Sequence, residues 1–192
     1  DFYTLVSEFM LQQTQIKTVL PYFLRFIKRF PNVRKLSRAS IRSVLKQWEG
    51  LGYYSRAKNL HLTSKIICKK YFEKMPKEIS DLKLLPGIGD YTASIIMAVV
   101  NNKPHIAFDG NVKRVVRRFF ALNYDENSEN LKLIKYKSNI FLSKNRHGDL
   151  AQALMELGAL VCKPTNPECT RCPLEKFCSF KKSNISFTKK TK

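Results

Sequence analysis

The stretch that decides the fold is Leu85-Pro86-Gly87-Ile88-Gly89-Asp90, followed by the run from Thr92 to Val100 and then by Phe108-Asp109-Gly110-Asn111. Leu-Pro-Gly-Ile-Gly between two helical patterns reads as a tight hairpin, in which Gly87 and Gly89 are expected to supply positive φ and leave the main chain bare. With Asp90 opening the next helix, main-chain N–H groups there are placed to hold a phosphate without side-chain charge. A plain helix–helix turn satisfies the same residues. The run Thr92 to Val100 is apolar around most of its circumference, which predicts a buried central helix that fixes the hairpin.

Working outward, nearly every segment repeats at the helical period and none alternates like a strand, so the predicted fold class is all-α. Phe2, Leu5, Val6, Phe9 and Met10 form the first apolar face, with Ser7 and Glu8 off its middle. Val19 to Phe30 forms a second, stopped by Pro31. A third runs from Ser37 or Ser40 as N-cap to Trp48. Gly50-Leu51-Gly52-Tyr53-Tyr54 is a loop with two aromatics. A fourth helix covers about Ser55 to Phe72, and a short fifth precedes Leu85. Beyond the hairpin helix, Asp109 sits where an N-cap belongs. Val112, Val115, Val116, Phe119 and Phe120 follow at helical spacing, while Lys113, Arg114, Arg117 and Arg118 are expected on the other face. Helices over about Ser128–Ser143 and Asp149–Val161 complete the pattern.

Lys and Arg number 35 against 15 Asp and Glu, a net charge of +20, in 192 residues that are 44% hydrophobic. That balance fits a surface for a polyanion, although abundant Lys, Asn and Ile also mark AT-rich coding. No apolar run reaches the length of a membrane span and no secretion signal opens the chain. Asp1 enters a helical pattern at once, so upstream sequence is expected to have been trimmed.

Four of the five cysteines form Cys162-x6-Cys169-x2-Cys172-x5-Cys178, with Pro164, Pro167 and Pro173 stiffening the loop. Without a secretion signal, disulfides are disfavoured. Structural zinc and an iron–sulfur cluster both accept four thiolates, and spacing alone leaves the two open. Cys68, on the apolar face of the fourth helix, reads as a core thiol. The tail 181–192 is basic and polar and is expected to be disordered.

Together the hairpin, the Asp twenty residues after it and the four cysteines resemble the helix-hairpin-helix DNA glycosylases of the endonuclease III superfamily. Three longer motifs are similar to its adenine DNA glycosylase (MutY) branch. They are Ser7-Glu8-Phe9-Met10-Leu11-Gln12-Gln13-Thr14-Gln15, Gly50-Leu51-Gly52-Tyr53-Tyr54-Ser55-Arg56-Ala57-Lys58-Asn59-Leu60 and Asp109-Gly110-Asn111-Val112-Lys113-Arg114-Val115. The resemblance implies two helical lobes with a DNA-binding cleft between them: a six-helix barrel with the hairpin over 1–103, and a lobe over 104–180 in which Cys162, Cys169, Cys172 and Cys178 hold a [4Fe–4S] cluster.

The implied reaction is hydrolytic removal of adenine mispaired with 8-oxoguanine or guanine in double-stranded DNA, by an intracellular monomer. Glycoside hydrolysis needs an acid for the leaving group and an anion facing an oxocarbenium-like sugar. Glu8, partly buried on an apolar helix, is expected to have a raised pKa and by resemblance protonates adenine N7. Asp109, at a helix N-terminus, suits the second role, and the resemblance has it stabilise or briefly bond the sugar carbon. Tyr91 occupies the place where lyase members carry a Schiff-base lysine, which predicts a monofunctional enzyme. By resemblance Tyr91 and Asn111 support the transition state, and Gln13 and Tyr53 wedge into the base stack. Leu85, Gly87 and Gly89 of the hairpin, and Lys163 and Arg171 of the cysteine loop, together with Lys176, are expected to meet DNA. A surface Glu, an ordinary N-cap Asp and packing roles for Gln13, Tyr53 and Tyr91 are the bland counterparts. Relatives in this branch usually continue into a separate domain that reads 8-oxoguanine, none of the 192 residues resembles it, and the preference for 8-oxoguanine over guanine is therefore left open. The rival functions are a thymine-mismatch glycosylase, an endonuclease III-type lyase, and a DNA-binding module without catalysis.

Overall fold

The computed structural model describes residues 1–122, 128–142 and 144–183, and every regular element among them is helical. By internal contacts the chain divides into two compact units, Asp1–Lys103 and the part from Pro104 onward. No helix among the described residues is long and apolar enough to cross a membrane.

The first unit contains α1 (Phe2–Leu11), α2 (Ile16–Arg29), α3 (Val33–Ser37), α4 (Ile41–Trp48), α5 (Tyr54–Lys70), α6 (Ile79–Lys83) and α7 (Asp90–Val99). The apolar stripe of α1 is buried through Leu5, Val6, Phe9 and Met10. It meets Phe26, Leu36, Trp48, Leu60, Leu82 and Ile96 in one core, which Cys68 joins from its edge. The rings of Phe30 and Trp48 stand edge-on to Phe26 at 5.0 and 6.0 Å. Each large side chain so buried contributes about 1.5–3 kcal/mol. Of the two cap candidates for the third predicted helix, Ser40 caps α4, its hydroxyl accepting from the Ser43 N–H at 3.2 Å. The segment before it folds into α3, a short helix the periodicity did not reveal, capped by Asn32.

The hairpin joins α6 to α7, and α7 is the buried helix expected, with Thr92, Ala93, Ile95, Ile96, Met97 and Ala98 inside. Gly87 has φ +79°, and a Cβ there would lie 2.8 Å from the Phe9 ring and 3.0 Å from Asn59, so both conformation and space demand glycine. Gly89 departs from the expectation: its φ is −92°, which any residue adopts, and a Cβ on it would meet nothing within 4 Å.

The second unit contains α8 (Gly110–Phe119), α9 (Ser128–Ser138), α10 (His147–Glu156) and α11 (Ser179–Lys182). Ile106, Val112, Val115, Val116, Ile134 and Leu154 form its core. The last long helix begins at His147 rather than Asp149, and it ends in one wider π-helical turn over Leu157–Val161. In the previous element a 3-10 turn, Asn139–Phe141, follows α9. The expectations for Ser143 and for 184–192 fall outside the described residues, while Lys181 and Lys182, assigned to the tail, lie in α11. Arg117 and Arg118 are corrected outright: both are buried, 4% and 5% exposed, not on a solvated face.

Candidate functional site

In the first unit Glu8 stands on α1, half-buried among that helix's apolar neighbours. Burial removes solvent from its carboxylate and pushes its pKa up to about 7. A carboxyl so placed holds a proton near neutrality and can deliver it.

The turn after α1 and the loop before α5 carry the two predicted wedges. Gln13 is exposed with φ +58°, and Tyr53 is 59% exposed with φ +47°. Both are non-glycine residues in the left-handed region, where a side chain is held at a direction the loop sets. The hairpin lies against the same helices. The Gln12 amide donates to the Gly87 carbonyl at 3.1 Å, and the Thr63 hydroxyl to the Pro86 carbonyl at 3.0 Å. Lys83 pairs with Asp90 at 2.6 Å. Leu85 is 3% exposed, so its side chain anchors the hairpin in the core and is withdrawn from any surface contact. Leu84, 72% exposed, is the apolar side chain the turn presents. Tyr91, the second residue of α7, lies at the surface with 36% exposure.

In the second unit Asp109 caps α8 as its position predicts. One carboxylate oxygen accepts from the Val112 N–H at 2.7 Å, and the other from the Asn111 amide at 3.0 Å. That arrangement fixes the carboxylate at a helix N-terminus, where partial positive charge stabilises an anion. Asn111 is held in turn by Arg114, whose guanidinium donates to the Asn111 Oδ1 at 2.7 Å, to the Gly158 carbonyl at 2.6 Å and to the Cys162 carbonyl at 2.7 Å. Gly158 is needed here for proximity: a Cβ on it would lie 2.6 Å from the Asn111 Cβ and 2.9 Å from its backbone.

Cys162, Cys169, Cys172 and Cys178 line one pocket with Arg118, Pro167, Glu175, Phe180 and Lys181. All five cysteines are free thiols. Burial, more than any neighbour, raises the Cys169 and Cys172 thiols above their ordinary range, and the other pocket cysteines add to it. Arg118 explains its own burial. It donates to the Lys163 carbonyl at 2.6 Å and the Pro164 carbonyl at 2.9 Å, and approaches the Cys162 sulfur at 3.4 Å. Four thiols lining one pocket, with Arg118 and Lys181 also lining it, have the donor chemistry and the neighbouring charge that an anionic thiolate cluster would take. Among the described residues no three His, Cys, Asp or Glu side chains are gathered as they would be around a metal ion. Lys163 and Arg171 both pair with Glu168, which lowers that carboxyl's pKa through the hydrogen bond from Lys163 first and from Arg171 second. Lys176 is exposed.

Sequence reasoning missed Arg56, Arg118 and Gly158. For Arg56 a signal existed: it lies four residues before Leu60 and eleven before Ile67, on the buried face of α5.

The comparisons with known proteins agree with this architecture. A family model described as "HhH-GPD superfamily base excision DNA repair protein" matches residues 6–136. The chain is 40% identical over 185 residues to an adenine DNA glycosylase of Buchnera aphidicola subsp. Baizongia pistaciae, covering 96% of this chain and 52% of the relative. It is 38% identical over 178 residues to the adenine DNA glycosylase of Homo sapiens, covering 90% and 32%. The chain thus spans about half the length of the bacterial relatives it matches. Among solved structures, a thermostable thymine-DNA glycosylase superposes with TM-score 0.81 at 24% identity, covering 95% of this chain and 84% of its own. A trapped endonuclease III–DNA covalent intermediate does so with TM-score 0.77 at 22% identity, covering 94% and 84%. With its hairpin and two helical units in place and the family model matching most of its length, the chain belongs to the HhH-GPD superfamily of base excision DNA repair proteins.

Proposed function

We propose that this chain is the catalytic part of a monofunctional adenine DNA glycosylase that hydrolyses the N-glycosidic bond of adenine mispaired with 8-oxoguanine or guanine. The observation that carries it is Glu8, a carboxyl whose pKa of about 7 leaves it a proton to give at neutral pH. Glu8 protonates the departing adenine at N7, so that it leaves as a neutral base as the C1′–N9 bond breaks, and water then adds its oxygen to C1′ and returns a proton to Glu8. Asp109, anchored through both oxygens, supplies the negative charge that faces the developing sugar cation, and Asn111 keeps that carboxylate in place. Tyr91 brings no amine, so no Schiff base forms and the abasic strand stays intact.

DNA is held without sequence reading. Gly89 is a glycine the fold itself does not require, since its φ is ordinary and its Cβ would meet open space. Close approach of a phosphate to the N-terminus of α7 gives the reason for it. Gln13 and Tyr53 enter the stack as the adenine leaves it. The four pocket cysteines hold a [4Fe–4S] cluster, which cross-links the loop from Cys162 to Cys178 and takes no part in hydrolysis. Lys163 and Arg171 meet phosphate from that loop once they loosen from Glu168.

Release of free adenine from A·8-oxoguanine, A·G and T·G duplexes is the test. Adenine from the first two supports the reading; thymine release, or strand cleavage trapped by borohydride, overturns it. Iron and sulfide analysis with visible charge-transfer absorption tests the cluster, because zinc is d10 and colourless.

A further inference from the structure

Arg56, the third residue of α5, is 6% exposed, and the chemistry above makes no use of it. Its guanidinium lies between two loops. One terminal nitrogen has two N–H groups to share among the Met10 carbonyl at 2.7 Å, the Thr14 hydroxyl at 3.1 Å, the Phe9 carbonyl at 3.4 Å and the Gln12 carbonyl. The other reaches the Leu51 and Gly52 carbonyls at 3.5 and 3.3 Å. The same group stacks 5.2 Å from the Tyr53 ring and 5.6 Å from the Trp48 ring.

These acceptors are the last carbonyls of α1, the turn that carries Gln13, and the loop that carries Tyr53. The helix end offers unsatisfied carbonyls with partial negative charge, which a cation satisfies. The planar fork reaches both loops at once, and an ammonium on a flexible stem does not. Gln13 and Tyr53 each sit in the left-handed region, which chains leave unless surrounding contacts enforce it.

We infer that Arg56 is a positioning residue for base extrusion: its fork fixes Gln13 and Tyr53 as one preformed pair of wedges. The inference rests on the proposal that these two side chains enter the DNA stack. Because the pair is set before DNA arrives, no ordering is required at the moment the base leaves, and loosening either loop uncouples both.

The test is a cycle of Arg56→Lys, Tyr53→Ala and the double variant. Each is read by single-turnover adenine release, normalised to active-site titre, and by fluorescence of 2-aminopurine beside the mispaired adenine, which rises on unstacking. Arg56→Lys is expected to lower the rate about tenfold to a hundredfold, the scale of losing charge-assisted hydrogen bonds, and to blunt the fluorescence rise. The double variant is expected to lose less than the product of the two single losses, because the Tyr53 share is already gone and only the hold on the Gln13 turn is left to lose. A merely structural role lowers the titre and the melting temperature but leaves the normalised rate and the fluorescence unchanged. Multiplicative losses, or a wild-type fluorescence rise in Arg56→Lys, overturn the inference while leaving the glycosylase reading standing. An unchanged rise in Tyr53→Ala removes the wedges and the inference together, even if adenine is still released. Should Arg56→Lys fail to fold, Thr14→Val removes one acceptor at constant shape: a several-fold slower rate with a blunted rise supports the inference, and wild-type fluorescence overturns it.

Discussion

Arg56 in the first unit and Arg118 with Arg114 in the second do comparable work in different surroundings. Arg56 is wedged between loops that spring from long, deeply packed helices, so the carbonyls it collects are already close. Arg118 and Arg114 reach from α8 to a loop whose own short turns, Cys169–Arg171 and Glu175–Phe177, bury none of their residues. The first loop pair is held by a hydrophobic core with an arginine as its clasp. The second has arginines and thiols where a core would be, and that is where the proposed cluster would contribute most to order.

The largest effect tests whether the anion proposed for catalysis is independent of the scaffold around it. Asp109→Asn keeps a good N-cap but removes the charge proposed to face the sugar. Adenine release is expected to fall roughly 10³-fold while duplex affinity and melting temperature hold; full activity removes the assigned role. Glu8→Gln takes away the acid and is expected to cost roughly 10²-fold in rate. In the wild type, release should decline as pH rises through about 7, where Glu8 loses its proton. The sign for stability is the reverse of an ion-paired carboxylate. Folded Glu8 keeps its proton to higher pH than the unfolded chain, so wild-type stability drops between the ordinary value of 4.5 and about 7. Glu8→Gln should therefore melt above wild type at pH 8 and level with it below pH 4.5; equal melting at pH 8 breaks the assignment.

Two smaller changes sharpen the contrast between the units. Gly158→Ala forces a methyl group against Asn111 and should cost about 1–3 kcal/mol in the second unit, read as a lower melting temperature with proteolytic nicking confined to residues beyond Pro104. Nicking in the first unit instead would show that the two depend on one another. Glu168→Gln frees Lys163 and Arg171 from their shared carboxylate. Duplex affinity should rise about two- to threefold at low salt with a steeper salt dependence, and an unchanged salt slope would show that neither cation meets phosphate.

Much of this arrangement was legible in the residues. Helical periodicity placed α1, α5, α7 and α8, because an apolar stripe has few ways to be buried. The cap at Asp109 followed from its place before Val112, and the thiol loop from the spacing of four cysteines. The misreadings came where polarity or local rules stood in for packing. Arg117 and Arg118 are charged, so amphipathic reasoning sent them outward, but both are buried, and Arg118 is stable inside because its guanidinium finds main-chain carbonyls. Gly89 looked like a second positive-φ glycine because it follows Gly87, whereas the hairpin needs only one such turn. Leu85 is among the hairpin residues expected to meet DNA, and its side chain is part of the core, which leaves its main chain for any such contact.

What the amino-acid order determined alone is local: which segments wind into helices, where they stop, and which residue types are on hand for acid, anion and thiolate. Only the folded chain decided which carbonyls Arg56 and Arg118 would find, how much water Glu8 would lose, and that Gly158 would lie against Asn111. Those outcomes depend on atoms distant in sequence meeting at hydrogen-bond or van der Waals range, and no periodicity encodes such a meeting.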